Sequence, residues 1–188
     1  MKSRISPLLF IATLLLVATT AIADEYDDTI SVFKNAGESG TYFNHSYAYA
    51  VFPTVGKGGL GVGAAHGSGR VYVQGKNTGD VKVTQISVGV QAGGQAFSQI
   101  VFFEDKRAFD EFAKGSYEFD ATVQAVAITA SATASAGTAG AAAGAAGGQK
   151  DATTAGKYHK GVAVFTVAKG GLMYQAAVGG QKFKYKPK

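Results

Sequence analysis

The feature that most constrains the fold is a stretch of strand-like sequence, residues 48–103, in which apolar and polar residues alternate between glycines. Residues 70–74 and 81–91 follow a period of two, which is the side-chain period of a β-strand. Residues 95–103 are more continuously apolar, as in a strand that is buried on both faces. Asn77-Thr78-Gly79-Asp80 has the composition of a hairpin turn. The stretch is therefore predicted to form antiparallel β-structure.

Two helices are predicted beside these strands. The first begins at Asp27 and Asp28, because negative charges favour the amino end of a helix, and it is expected to end at Gly37 and Gly40. The second covers residues 104–114 and is followed by a glycine. Its apolar stripe consists of Phe109, Phe112 and Ala113. These helices and the strands together predict an α+β domain.

A segment near the carboxyl terminus repeats the first β-unit. Residues 50–60 read Ala-Val-Phe-Pro-Thr-Val-Gly-Lys-Gly-Gly-Leu, and residues 163–172 read Ala-Val-Phe-Thr-Val-Ala-Lys-Gly-Gly-Leu. Once Pro53 is skipped, nine of the ten aligned positions are identical. Two copies of a strand and a Lys-Gly-Gly turn predict a mostly antiparallel, sandwich- or barrel-like β core with an internal pseudo-repeat.

Two further segments are predicted to lie outside this core. A basic start and an apolar run over residues 8–18 precede Ala21-Ile22-Ala23, so residues 1–23 are interpreted as a secretory signal peptide. Residues 131–148 are almost entirely Ala, Gly, Ser and Thr and are predicted to form a loop. The remaining chain, residues 24–188, is expected to be one periplasmic or secreted domain that is either soluble or peripheral to a membrane.

The charge distribution predicts an anionic partner. The whole chain carries a formal charge of +5. From residue 150 onward there are eight lysines and one acid, which gives this stretch a charge of +7. Lys182, Lys184, Lys186 and Lys188 alternate with other residues, so a strand would place them on one face. That face is interpreted either as an edge strand protected by charge or as a stripe that contacts lipid headgroups.

Catalytic alternatives have little support in the sequence. Gly56, Gly58 and Gly61 match a Gly-x-Gly-x-x-Gly pattern, but a dinucleotide site needs a helix to open at the third glycine, and another strand is predicted there. The three histidines have no metal-ligand spacing, and the chain has no cysteine. We therefore predict no catalytic residue, no metal site and no cofactor. Export also makes nucleic acid an unexpected partner.

The order of several motifs resembles the SYLF-domain family, in particular its secreted bacterial branch. The motifs are Val51-Phe52-Pro53 with the Lys-Gly-Gly turn and glycines that follow, Gly67-Ser68-Gly69-Arg70-Val71, Gly89-Val90-Gln91-Ala92-Gly93, the strand and helix of residues 100–113, the Lys-Gly-Gly-Leu-Met-Tyr stretch of residues 169–174, and Gly180-Gln181-Lys182-Phe183. The resemblance implies a β-rich domain that binds lipid or phospholipid membranes. Eukaryotic relatives also bind phosphoinositides and actin. This chain lacks the tryptophan of the Trp-Ser-x-Pro element found in many members.

We therefore expect a non-catalytic, exported lipid-binding module that associates with anionic phospholipid or the cell envelope. The residues expected to contact lipid are Lys57, Lys169, Lys182, Lys184 and Arg70. A structural or interaction protein that binds a protein or glycan partner through the same basic surface is the alternative. Lipid dependence and salt sensitivity of binding separate the two.

Overall fold

The computed structural model describes residues 25–119, 123, 125–128, 158–169 and 178–188. Within the strands, the side chains of residues 60–62 and 87–93 are not described. The predicted signal peptide, residues 1–23, and the predicted loop, residues 131–148, lie outside the described residues.

A long antiparallel hairpin forms the centre of the fold. Strand β1 covers Ala48–Val73 and strand β2 covers Lys76–Phe103. They pair from Ala48 opposite Phe103 to Val73 opposite Lys76. The predicted turn at residues 77–80 is wrong, because these residues lie in β2 and the turn is formed by Gln74 and Gly75. Both turn residues have positive φ, 49° and 78°, a geometry that matches the twist of a tight hairpin and that glycine adopts readily.

The second edge of β2 is shared by two later strands. Strand β6, Lys182–Pro187, pairs antiparallel with residues 79–84, and strand β5, Val162–Lys169, pairs antiparallel with residues 96–103. The short β3, Tyr117–Glu118, continues the sheet beside β6, and β4, Ala125–Ile128, lies parallel to β5. The predicted β-rich, mostly antiparallel structure is confirmed.

The sheet curls because the two halves of β1 approach each other. A Cβ at Gly67 would lie 2.9 Å from the carbonyl oxygen of Thr54, and one at Gly69 would lie 2.6 Å from that of Val51. The rings of Tyr49 and Tyr72, from opposite ends of β1, stack at 5.1 Å with an interplanar angle of 13°. Glycine at positions 67 and 69 is therefore what lets the backbone of β1 come this close to itself.

The curled sheet separates two apolar clusters. The inner cluster includes Phe52, Phe97, Phe103, Phe112 and Phe183. The outer cluster includes Phe33, Tyr42, Ile100, Phe102 and Phe165. Residues 97–103 of β2 are buried throughout, and the apolar residues among them alternate between the clusters. The predicted burial of residues 95–103 on both faces is therefore confirmed from residue 97 onward.

Helices cover one side and one end of this sheet. Helix α1 (residues 25–35) and α2 (Gly37–Tyr42) contribute to the outer cluster, and α3 (Lys106–Ala113) contributes to the inner one. The Asp105 carboxylate caps α3 by accepting a 2.8 Å hydrogen bond from the N–H of Ala108. Helix α1 ends at residue 35, close to the predicted end at Gly37, whereas the predicted end at Gly40 is wrong because Gly40 lies within α2. Gly37 begins α2, and the N–H of Gly40 donates to the Ala36 carbonyl at 2.8 Å.

The two sequence repeats occupy opposite edges of β2 but face opposite ways. Phe52 pairs with Gln99, whereas Phe165 pairs with Ile100, so the copies are offset by one residue. A one-residue offset exchanges the two faces of a strand. Phe52 accordingly lies in the inner cluster and Phe165 in the outer one. The end of the second copy, residues 170–172, lies outside the described residues.

Substitution of Gly69 by alanine is expected to destabilise the fold. The added Cβ would meet the Phe52 ring at 2.6 Å and the Val51 carbonyl oxygen at the same distance. Overpacking of this kind costs about 1–3 kcal/mol. Gly56→Ala is the control, since a Cβ there has no atom within 4 Å. Urea unfolding should show a loss for G69A alone. Equal stabilities of the two variants would contradict the account of the curl.

Candidate anionic-surface site

Lysines line the exposed outer face of β2 and β6. In β6, Phe183 and Tyr185 are buried in the inner cluster, while Lys182, Lys184 and Lys186 are exposed. In β2, Val81 and Val83 are buried on either side of the exposed Lys82. Because side chains alternate along a strand, the buried residues fix the direction of the lysines. We call Lys82, Lys182, Lys184 and Lys186 the lysine face.

Two of these lysines are directly opposite each other. The register pairs Lys82 of β2 with Lys184 of β6. Cβ atoms of directly opposite residues lie only about 5 Å apart, and like charges in that arrangement are destabilising. On the other edge of β2, Lys82 faces Ser68 of β1, which carries no charge. Folding therefore concentrates positive charge at a position where it lowers the stability of the sheet.

Two acids lie beside the lysine face and neutralise part of it. The Glu118 carboxylate of β3 is 3.5 Å from the Lys182 ammonium, and the side chains are 54% and 67% exposed. Asp80 pairs in register with Lys186 on one side and with Arg70 on the other. Exposed ion pairs contribute no more than about 1 kcal/mol, because water and salt screen them. The face as a whole has four lysines for these two acids.

The structure brings some of the predicted contact residues together and separates others. Lys182 and Lys184 belong to the lysine face. Arg70 lies at its margin, where its guanidinium sits 4.1 Å from the centre of the Tyr26 ring of α1. Lys169 instead donates to the Thr54 hydroxyl at 2.8 Å and lies 3.4 Å from the Glu25 carboxylate. These two contacts direct Lys169 toward the start of α1.

Lys57 is placed differently again. It follows the buried Val55 by two residues and no register shift intervenes, so it projects from the inner side of β1, where it is half-exposed.

The residues predicted from the sequence to contact lipid did not include Lys82 and Lys186. Lys186 was visible in the alternating pattern of the last strand. Lys82 was not, because its contribution depends on which strand pairs with β6.

A cleft lies at the end of the lysine face where β6 begins. Its volume is about 320 Å³, and its lining comprises Thr84, Gln85, Ile86, Glu118, Gly180 and Lys182. Ile86 is 77% exposed, which is unusual for a large apolar residue in a strand. The Gln85 amide donates to the Gly179 carbonyl at 2.9 Å and so ties β2 to the turn before β6. The cleft thus combines one ammonium, one carboxylate and one exposed aliphatic side chain.

A second cleft, of about 220 Å³, lies near the β1–β2 turn. Phe43 and Tyr49 contribute aromatic rings to it, and the Lys34 ammonium lies 5.4 Å from the centre of the Phe43 ring. Burial raises the pKa of the Tyr49 phenol to about 12, with Tyr72 and Asp27 adding smaller effects in the same direction. The phenol therefore stays neutral at physiological pH. This cleft has far less charge than the lysine face.

Two further observations concern the described residues only. Within them, His, Asp and Glu form no group of three or more that could hold a metal ion. The helices in this part of the chain are all too short or too polar to cross a membrane.

Comparison with known proteins shows a distant similarity. No family model matches the chain. The chain is 27% identical over 156 residues to beta cell expansion factor A of Aeromonas veronii. The match covers 82% of this chain and 51% of that protein, so this chain spans about half the length of the relative.

Replacing Lys82 by glutamate is expected to stabilise the fold. The change converts a like-charge pair with Lys184 into an opposite-charge pair, and such cross-strand pairs contribute about 0.2–1 kcal/mol. Lys76→Glu is a control with the same charge change, because Lys76 is exposed and pairs with Val73. Urea unfolding at low salt should show a gain for K82E that shrinks as salt is added. A loss of stability in K82E would show that Lys82 and Lys184 do not repel each other.

Proposed function

We propose that this chain is a non-catalytic, SYLF-like module that binds anionic phospholipid surfaces through the lysine face. The observation that carries the proposal is the directly opposed pair Lys82 and Lys184, which lowers fold stability and has no acid between its members. An anionic bilayer would relieve this repulsion. Each lysine near such a surface contributes about 1 kcal/mol of binding free energy. Lys182, Lys186 and Arg70 would add to the attraction, and Asp80 and Glu118 would reduce it.

The motif order supports the family assignment in this proposal. Gly67 and Gly69 form one of the Gly-x-Gly motifs of the resemblance. They lie where the two halves of β1 meet, so the fold of this chain requires glycine at both positions of the motif. A distant relative of this chain occurs in a bacterium, Aeromonas veronii. We also propose that the curled sheet closes in a barrel-like manner along this contact. The one-residue offset means that the two repeats do not occupy equivalent positions in the sheet, which argues against a pseudo-symmetric fold.

The predicted signal peptide supports a periplasmic or secreted location for this module. Its partner would then be the lipid of an envelope membrane, or another membrane that the secreted protein reaches. Nucleic acid does not enter this proposal. The protein would bind peripherally, because its attraction to the bilayer would be largely Coulombic and its contact surface is the outside of a sheet.

Vesicle binding tests the proposal directly. The variant K82Q/K184Q should bind anionic vesicles about 10- to 30-fold more weakly than the wild type, since two lysines each contribute about 1 kcal/mol. The control K106Q/K114Q removes the same charge from exposed positions on and beside α3. It should bind like the wild type. Raising the salt concentration should weaken the wild type more than K82Q/K184Q.

Several outcomes would contradict the proposal. Equal weakening of K82Q/K184Q and K106Q/K114Q would indicate an effect of net charge without a defined face. Loss of binding in K57Q/K169Q alone would place the contact at the two turn lysines instead. Capture of one protein or glycan by the folded wild type, with indifference to every vesicle, would favour a structural or interaction role.

A further inference from the structure

The cleft beside the lysine face lies where β6 begins two residues too late to place a strand residue opposite Ile86. Thr84 of β2 pairs with Lys182, the first residue of β6. Continuing the same register places Gly180 opposite Ile86, and Gly180 has no side chain and a φ of 76° that turns the backbone away. Ile86 is therefore left 77% exposed, and it lines the 320 Å³ cleft. An exposed aliphatic side chain beside lysines suits the boundary between headgroups and acyl chains.

The cleft also holds opposite charges a short distance apart. Glu118 and Lys182 are cross-strand partners, and the Glu118 carboxylate lies 3.5 Å from the Lys182 ammonium. Both side chains are more than half exposed, so their mutual attraction is weak and each can exchange its partner for another ion. The Thr84 hydroxyl, on the neighbouring strand, adds a hydrogen-bond donor next to Lys182.

We infer that this cleft takes a zwitterionic lipid headgroup that carries a phosphate and a primary amine, with Ile86 against the start of the acyl chains. In this arrangement the Lys182 ammonium and the Thr84 hydroxyl donate to the phosphate, and the amine donates to the Glu118 carboxylate. The inference rests on the proposed function, because it assigns a headgroup to the same membrane-facing surface.

Other headgroups fit the charges less well. A headgroup that offers only phosphate meets the repulsion of Glu118 as well as the attraction of Lys182. A quaternary ammonium has no N–H and therefore donates no hydrogen bond to the carboxylate. A primary amine satisfies Glu118 while the phosphate satisfies Lys182, so one ion pair of the free protein is replaced by two.

The test compares vesicles that share one fraction of phosphatidylglycerol and differ in the neutral lipid, phosphatidylethanolamine or phosphatidylcholine. The wild type should bind the ethanolamine vesicles more tightly, by a factor of up to about five, which is the most expected for one exposed ion pair. Glu118→Gln should remove this preference and keep salt-dependent binding. Glu111→Gln is the matched control, because Glu111 is an exposed carboxylate 3.3 Å from Arg107 on α3. It should retain the preference.

A further variant separates the two contributions of the cleft. Ile86→Ser should weaken binding to both vesicle types by a similar factor, since the aliphatic contact does not distinguish the amines. Wild-type binding that depends on charge but not on the amine, or a preference retained in E118Q, would overturn the inference and leave the proposed function standing. Absence of charge-dependent binding in the wild type would overturn both. Thermal unfolding of each variant checks that these exposed substitutions leave the fold intact.

Discussion

The pairing of β1 with β2 is the interaction on which the rest of the structure depends. It extends along both strands, and β2 then uses its other edge for β6 at one end and β5 at the other. Where the two halves of β1 come together, Gly67 and Gly69 have no side chains that would hold the halves apart. The resulting curl gives the sheet an inside, filled by aromatic and small aliphatic residues, and an outside that the first two helices cover only in part.

The part of the outside left uncovered carries the lysine face. Its lysines have no freedom to turn inward, because Phe183 and Tyr185 are held in the inner cluster on alternate positions of the same strand. The burial of apolar residues therefore sets the direction of the charges, and the energy of burial far exceeds the small repulsion between Lys82 and Lys184. A site that costs some stability is expected where the surface serves a partner.

Sequence reasoning succeeded where the answer depends on local alternation. The period of two placed the lysines of β6 on one face, and the dense apolar run at residues 95–103 correctly indicated burial on both faces from residue 97 onward. Sequence reasoning failed where the strand register determines the position of a turn or which residues lie on the same face. The hairpin turn at Gln74 and Gly75 has a weaker signature than Asn77 to Asp80. Lys57 and Lys169 occupy matching positions in the two sequence repeats. These positions did not indicate that a one-residue offset in strand pairing would turn the repeats toward opposite faces of the sheet. Lys82 belongs to the lysine face only because β2 pairs with β6, a strand distant in sequence.

The measurement that tests the central claim most directly locates the bilayer on the folded protein. Broadening of amide NMR signals by a lipid-anchored spin label, in anionic bicelles, reports which residues lie near the membrane. The account predicts strong broadening along β2 and β6 around Lys82, Lys184 and Ile86, with little effect on α3 at Lys106–Ala113. Broadening centred on α3, or spread evenly over the molecule, would contradict a membrane contact through the lysine face.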